Sequence, residues 1–134
     1  MNDNFSEKDA RALSPLTLAF FGDSVYEVLV RERIVKDGSK PIHTLHSMAV
    51  KKVNAGFQSY ASEKIEDSLT EDELEIFKRG RNATGSNVPR SSNPKDYHRA
   101  TGLETLFGYL YLSGKHERMN ELFDMIYELD TSEN

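Results

Sequence analysis

Leu18-Ala19-Phe20-Phe21-Gly22-Asp23-Ser24-Val25 and Leu103-Glu104-Thr105-Leu106-Phe107-Gly108-Tyr109-Leu110 each set one acid in an apolar run of helical character. A carboxylate in such surroundings has to be paired, hydrogen-bonded or bound to a cation, because burying a bare charge is costly. Leu16, Phe20, Asp23, Glu27 and Val30 fall on one stripe at three- and four-residue spacing, and so do Thr101, Glu104, Gly108 and Tyr111. A glycine inside a helix costs about 1 kcal/mol against alanine. Gly22 beside Asp23, and Gly108 one turn past Glu104, therefore predict the close approach of another backbone or of a substrate. Two readings are open from the residues alone. Asp23 and Glu104 are core salt-bridge partners of Arg31, Arg33 or Arg99, or they converge on a magnesium ion, which commonly takes one or two carboxylates and keeps its waters. Glu27 is either an acid supporting such a site or an ion-pair partner on a solvated edge.

The rest of the chain is helical in period, with no strand alternation and no repeat, and predicts an all-α fold. Ser14-Pro15 reads as an N-cap with proline at the first helical position, opening a helix that runs to about Lys36 and stops at Gly38. A second helix is expected over Ile42 to Ser62, with Leu45, Met48, Val53, Phe57 and Tyr60 on its apolar side. Thr70-Glu71-Asp72-Glu73 matches a capping box and starts a short helix ending near Gly80. Residues 81–96, rich in Gly, Pro, Ser and Asn, are expected to form a long loop, followed by a helix from about Tyr97 to Leu112. A last amphipathic helix carries Met119, Leu122, Phe123, Ile126 and Leu129.

The net charge of −5 argues mildly against a nucleic-acid surface, but its distribution is uneven. Lys78, Arg79, Arg81, Arg90, Lys95 and Arg99 lie within one stretch that holds a single acid, Asp96. That stretch is a solvated basic loop or a surface for phosphates. Lys51 and Lys52 are an ordinary wet helix face or an extension of that surface. His43 and His46 have a ligand-like spacing, but no cysteine or acid cluster accompanies them. The chain has no cysteine, which excludes thiolate zinc sites and cysteine nucleophiles and suits a reducing compartment. The first residues show no apolar secretory run, and no stretch approaches the ~20 apolar residues of a membrane span. One cytoplasmic domain over residues 1–134 is the expectation.

At these residues the sequence resembles the catalytic domain of the ribonuclease III family, and more narrowly its mini-ribonuclease III branch, which lacks the double-stranded-RNA-binding domain. The carriers are Phe20-Phe21-Gly22-Asp23-Ser24-Val25, the segment Glu104 to Leu112, and between them Phe77-Lys78-Arg79-Gly80-Arg81-Asn82-Ala83. The resemblance implies an all-helical homodimer that cuts double-stranded RNA with Mg2+ and leaves 5′-phosphate and 3′-hydroxyl ends. In the mini branch it implies maturation of precursor large-subunit (23S) ribosomal RNA, with a ribosomal protein as a candidate for presenting the substrate. The larger family carries two further acids, four residues before the first motif's aspartate and three before the second motif's glutamate. Here those positions are Ala19 and Thr101, a reduced pattern shared by the mini branch.

The resemblance thus implies Asp23 and Glu104 as the catalytic pair and as metal ligands. Thr101 would hold a coordinated water and Glu27 would orient one. Lys78, Arg79, Arg81, Asn82, Lys95 and Arg99, with Lys51 and Lys52, suit RNA phosphates, since duplex RNA is read through phosphates and 2′-hydroxyls. The loop at 81–96 would bias the choice of site. Phe20-Phe21 is either a dimer interface or intramolecular core. The rival reading is a non-catalytic RNA-binding module in ribosome assembly, motivated by the missing acids at positions 19 and 101.

Overall fold

The computed structural model describes residues 5–85 and 87–129, and among these the regular structure is all helical, as expected. Ser6 opens α1 (Glu7–Ala12) through a capping box with Asp9, a signal the sequence carries at Ser6-x-x-Asp9. Ser14 accepts from the Thr17 amide and Pro15 occupies the first position of α2 (Pro15–Val35). Gly38, at φ 98°, follows its end.

The helix expected over Ile42 to Ser62 is two helices, α3 (Ile42–Val53) and α4 (Ala55–Ile65). Asn54 is extended (φ −69°, ψ 154°) and serves both ends. Its Oδ1 accepts from the Phe57 amide, capping α4, while its Nδ2 donates to the Val50 carbonyl at the close of α3. Such local side-chain bonds compete with helix continuation. A 3₁₀ turn (Glu66–Ser68) leads to α5 (Glu71–Arg81), started by the Thr70–Glu73 capping box. The loop is shorter than the expected 81–96. Arg81 still belongs to α5, and α6 (Pro94–Leu112) starts earlier than Tyr97, with Asn93 as N-cap and Pro94 at its first turn. The Thr84 hydroxyl meets His98 Nδ1 at 2.8 Å and ties the loop to α6. The chain continues into α7 (His116–Tyr127).

Every residue of α6 from Ala100 to Leu110 is buried except Glu104. A helix apolar on all sides belongs in the middle of a fold, and α6 packs against α1, α2, α4, α5 and α7. Tyr26, Phe107 and Phe123 meet edge to face beneath it. Among the described residues no helix is long and apolar enough to cross a membrane.

The crossing of α2 with α6 is a contact of backbones. A Cβ on Gly22 would lie 1.7 Å from the carbonyl oxygen of Glu104, and one on Gly108 would lie 2.2 Å from that of Leu18. Both glycines therefore answer the close approach that their cost in a helix predicts. This crossing fixes the site.

Candidate active site

Gly22 touches the backbone of Glu104, so the next residue on α2, Asp23, is brought beside the Glu104 side chain. The side chains of Glu104 and Asp23 meet there. Burial pushes the Glu104 carboxyl up to about 8, and the charge of Asp23 and the hydrogen bond between them add to the rise. The side chain of Gln58, from α4, acts in the opposite sense and favours the ionised Glu104 carboxylate. Asp23 itself is exposed and opens, with Ser24, Glu27, Val28 and Arg31, on a shallow pocket of about 400 Å³.

The salt-bridge reading required a guanidinium here. Arg31 pairs instead with Glu27 at 2.6 Å, Arg33 with Asp124 at 2.5 Å and Arg99 with Glu66 at 2.6 Å. All three are turned elsewhere, and the two acids face each other. Two carboxylates that share a proton supply oxygen ligands to a hard cation, and the cation replaces that proton. The donor set thus fits a magnesium ion held by Asp23 and Glu104.

Glu27 lies beside Asp23 on the pocket wall, its carboxylate engaged by Arg31 four residues on. Thr101 is buried one turn before Glu104, and its hydroxyl donates to the Tyr97 carbonyl at 2.9 Å. His43 and His46 are exposed, and among the described residues no three His, Asp or Glu side chains gather around a metal-sized gap.

The expected phosphate contacts divide. Lys51, Lys78 and Asn82 are exposed, and Arg81 is half-buried with its Nε donating to Asn82. Arg79 is half-buried and donates to the Arg11 carbonyl at 3.4 Å. Lys95 pairs with Glu63 at 3.3 Å on the surface. Arg99 and Lys52 are engaged inside the fold. The Arg99 guanidinium lies over Phe77 and donates to Ser62, and the Lys52 ammonium donates to the Tyr127 and Leu129 carbonyls that end α7. Phe20 and Phe21 also divide: Phe21 packs on Tyr111 at 5.3 Å between ring centres, whereas Phe20 is 82% exposed.

Two residues of the site were not read from the sequence. Gln58 is 2% exposed on the inner side of α4, and Tyr26 lies under Glu104, its hydroxyl ionisation disfavoured by burial and by that carboxylate. The signal for Gln58 is a long polar side chain next to Phe57, on a helix whose buried positions also include Ala61 and Ile65.

The model of the ribonuclease III domain matches residues 16–115 of this chain, a span that holds both acids and the crossing. The chain belongs to the ribonuclease III family. Among the proteins it resembles are the Mini-ribonuclease 3 of Clostridium tetani, 36% identical over 130 residues that cover 96% of this chain and 86% of that one. That of Symbiobacterium thermophilum is 44% identical over 110 residues, covering 82% and 85%. In three dimensions the chain resembles a Fusobacterium nucleatum protein of known crystal structure, with a TM-score of 0.79 and 35% identity over 90% of this chain and 96% of that one. These likenesses place it in the mini-ribonuclease III branch, and it is an endoribonuclease.

Proposed function

We propose that this ribonuclease III-family enzyme is a magnesium-dependent endoribonuclease of double-stranded RNA, acting in the cytoplasm as a homodimer on the ends of precursor large-subunit (23S) ribosomal RNA. The observation that carries the reading is the Asp23–Glu104 pair, a half-buried acid facing a second acid with Arg31, Arg33 and Arg99 all bound elsewhere. Asp23 and Glu104 would hold the ion. When bound, the ion polarises a phosphodiester and lowers the pKa of a water, the chemistry of hydrolysis to 5′-phosphate and 3′-hydroxyl ends. Asp23, at the open side, reaches the solvent from which a duplex arrives. Glu104, packed against α2, is held still by its neighbours. Glu27 orients solvent beside Asp23, and Thr101 keeps acceptor capacity behind Glu104.

Lys78, Arg79, Arg81 and Asn82 at the end of α5, with Lys51 and Lys95, form the phosphate-contacting set, and Arg99 and Lys52 brace the scaffold behind it. The loop from residue 82 to residue 93 biases site choice from its place between the end of α5 and Asn93. Leu16, Phe20, Val28 and Tyr111 are exposed apolar residues of α2 and α6, and Phe21, Val25, Val28, Tyr111 and Met119 line an apolar hollow of about 220 Å³. Such a patch marks an interaction surface, and a two-fold pair would meet two antiparallel strands with two sites.

The test is incubation of a long RNA duplex at low salt, with Mg2+ or with EDTA, beside Asp23→Asn and Glu104→Gln. Low salt matters because phosphate contacts weaken steeply as salt rises. The expected result is cleavage by the wild type only, only with Mg2+, with product ends that ligate as 5′-phosphates. Cleavage by either variant at the wild-type rate removes the pair from the chemistry. Duplex binding without cleavage transfers the weight to precursor ribosomal particles as the substrate to try.

A further inference from the structure

At the break between α3 and α4 helical donors run out for the last carbonyls of α3, of which Val50 still accepts from the Asn54 amide. Three of them are taken up by side chains. Asn54 Nδ2 donates to Val50 at 2.8 Å, the Tyr26 hydroxyl to Lys52 at 2.7 Å, and Gln58 Nε2 to Val53 at 2.9 Å. Gln58 differs from the other two. Its side chain also faces Glu104, where it favours the ionised carboxylate. It is 2% exposed, and among the described residues its Oε1 has no hydrogen-bond partner.

We propose that Gln58 is the positioning residue of the metal site, a neutral clamp that fixes the Glu104 carboxylate from the α3–α4 joint. This rests on the reading of Asp23 and Glu104 as metal ligands. An amide anchored on a fixed backbone carbonyl presents its polar end to the carboxylate from a fixed place. Burial removes the side-chain freedom that would otherwise blur the constraint. Packing alone does not account for an amide here, because a leucine of similar size fills the space without leaving a buried acceptor unpaired. Nor would an arginine or lysine serve. A cation at this position would satisfy Glu104 by charge and compete with a metal ion, as Arg99 satisfies Glu66. A neutral donor orients the carboxylate and leaves its negative charge to the ion, which is what partners behind a ligand do in metal sites.

The test uses the RNA-free protein and follows the rise in thermal midpoint on titration with Mg2+ in the wild type, Gln58→Leu, Gln58→Met, Asn54→Ala and Asp23→Asn. Steady-state cleavage and duplex binding in EDTA are measured alongside. Gln58→Leu is expected to raise the Mg2+ concentration for half of the thermal shift by about 10- to 100-fold, the usual effect of losing a group that supports a ligand. Its kcat falls with KM for duplex little changed, and its duplex binding in EDTA is that of the wild type. Gln58→Met, flexible and without hydrogen bonds, gives the same result if the leucine variant does not fold. Asn54→Ala loosens the same joint without touching Glu104, so it lowers the midpoint in EDTA and keeps the wild-type Mg2+ dependence. An unchanged Mg2+ dependence in the Gln58 variants overturns the inference, as does an Asn54→Ala shift as large as theirs. A Mg2+ response that survives Asp23→Asn overturns the underlying reading of the metal pair instead.

Discussion

Glu73 and Glu104 are both acids packed into the fold, and the structure treats them in opposite ways. Glu73, in the first turn of α5, receives a two-pronged hydrogen bond from Arg118 of α7 at 2.8 and 2.9 Å, and the Thr70 amide besides. Burial opposes its ionisation, yet Arg118 and Thr70 outweigh burial and hold the carboxyl below its ordinary range. Glu104 meets a second carboxylate and a neutral amide, and its carboxyl is driven up to about 8 by burial and by Asp23. The α5–α7 contact is held by a counter-ion. The α2–α6 crossing is held by glycine backbones, and among the described residues no cation pairs with its acids. A fold that neutralises one acid and not the other marks the second as a site, since strongly shifted groups in clefts are enriched where chemistry happens.

The hardest test of that contrast is Gly22→Ala. The added Cβ would sit 1.7 Å from the Glu104 carbonyl oxygen, so α2 and α6 must separate. Overpacking of this kind costs about 1–3 kcal/mol or more, and here it also parts the two acids. A large fall in thermal midpoint is expected, with cleavage lost even at temperatures where circular dichroism shows a folded protein. Wild-type cleavage by a folded Gly22→Ala variant would show that the backbone crossing is not what assembles the site.

Matched neutral substitutions should then move stability in opposite directions. Glu73→Gln leaves Arg118 without its carboxylate partner and weakens a capping box. It is expected to lower stability by about 1–3 kcal/mol, at the modest end because the Arg118 side of the pair reaches water. Its cleavage per folded molecule stays at the wild-type level. Glu104→Gln removes an acid that has no cation partner among the described residues, so the metal-free protein should melt higher while cleavage is lost, a trade between stability and activity. Denaturant titrations in EDTA and single-turnover cleavage read the two axes separately. Equal and same-signed stability changes would erase the distinction drawn between the two acids.

Part of this contrast was legible in the sequence. An acid set beside or near a glycine, twice, inside apolar helical runs, pointed to Asp23 and Glu104 and to a close approach at Gly22. Which arginines went where was not legible, because Arg31, Arg33 and Arg99 have reach enough for several partners and only the packed helices choose among them. The charges of Lys52 and Arg99 read as phosphate contacts because a sequence does not show that Lys52 meets the end of α7 or that Arg99 meets Glu66. The break at Asn54 was hidden by the apolar series Leu45, Met48, Val53 and Phe57, which keeps a helical period across it. Asn93-Pro94 carries the same start signal as Ser14-Pro15, yet the Ser- and Asn-rich residues before it made it read as loop. Gln58 needed both the break and the fold of α4 onto α6 before its role could be seen.

The finest test is the dependence of metal-free stability on pH, where the two acids act in separate windows. The Glu104 carboxyl is raised from its ordinary value of 4.5 to about 8. Between those values the folded chain holds a proton that the unfolded chain releases, so stability falls as pH rises through that window and levels off above it. Glu73 is lowered from 4.5, so its contribution is present above that value and is lost as pH falls below it. Thermal midpoints in EDTA should therefore decline on both sides of the region near pH 4.5. Glu104→Gln should flatten the alkaline decline and spare the acid one, and Glu73→Gln should do the reverse. Since a metal ion must displace the Glu104 proton, Mg2+ affinity of the wild type should strengthen with pH and reach a plateau near 8. An alkaline decline that survives Glu104→Gln would assign the titration to another group and separate the shifted acid from the metal site.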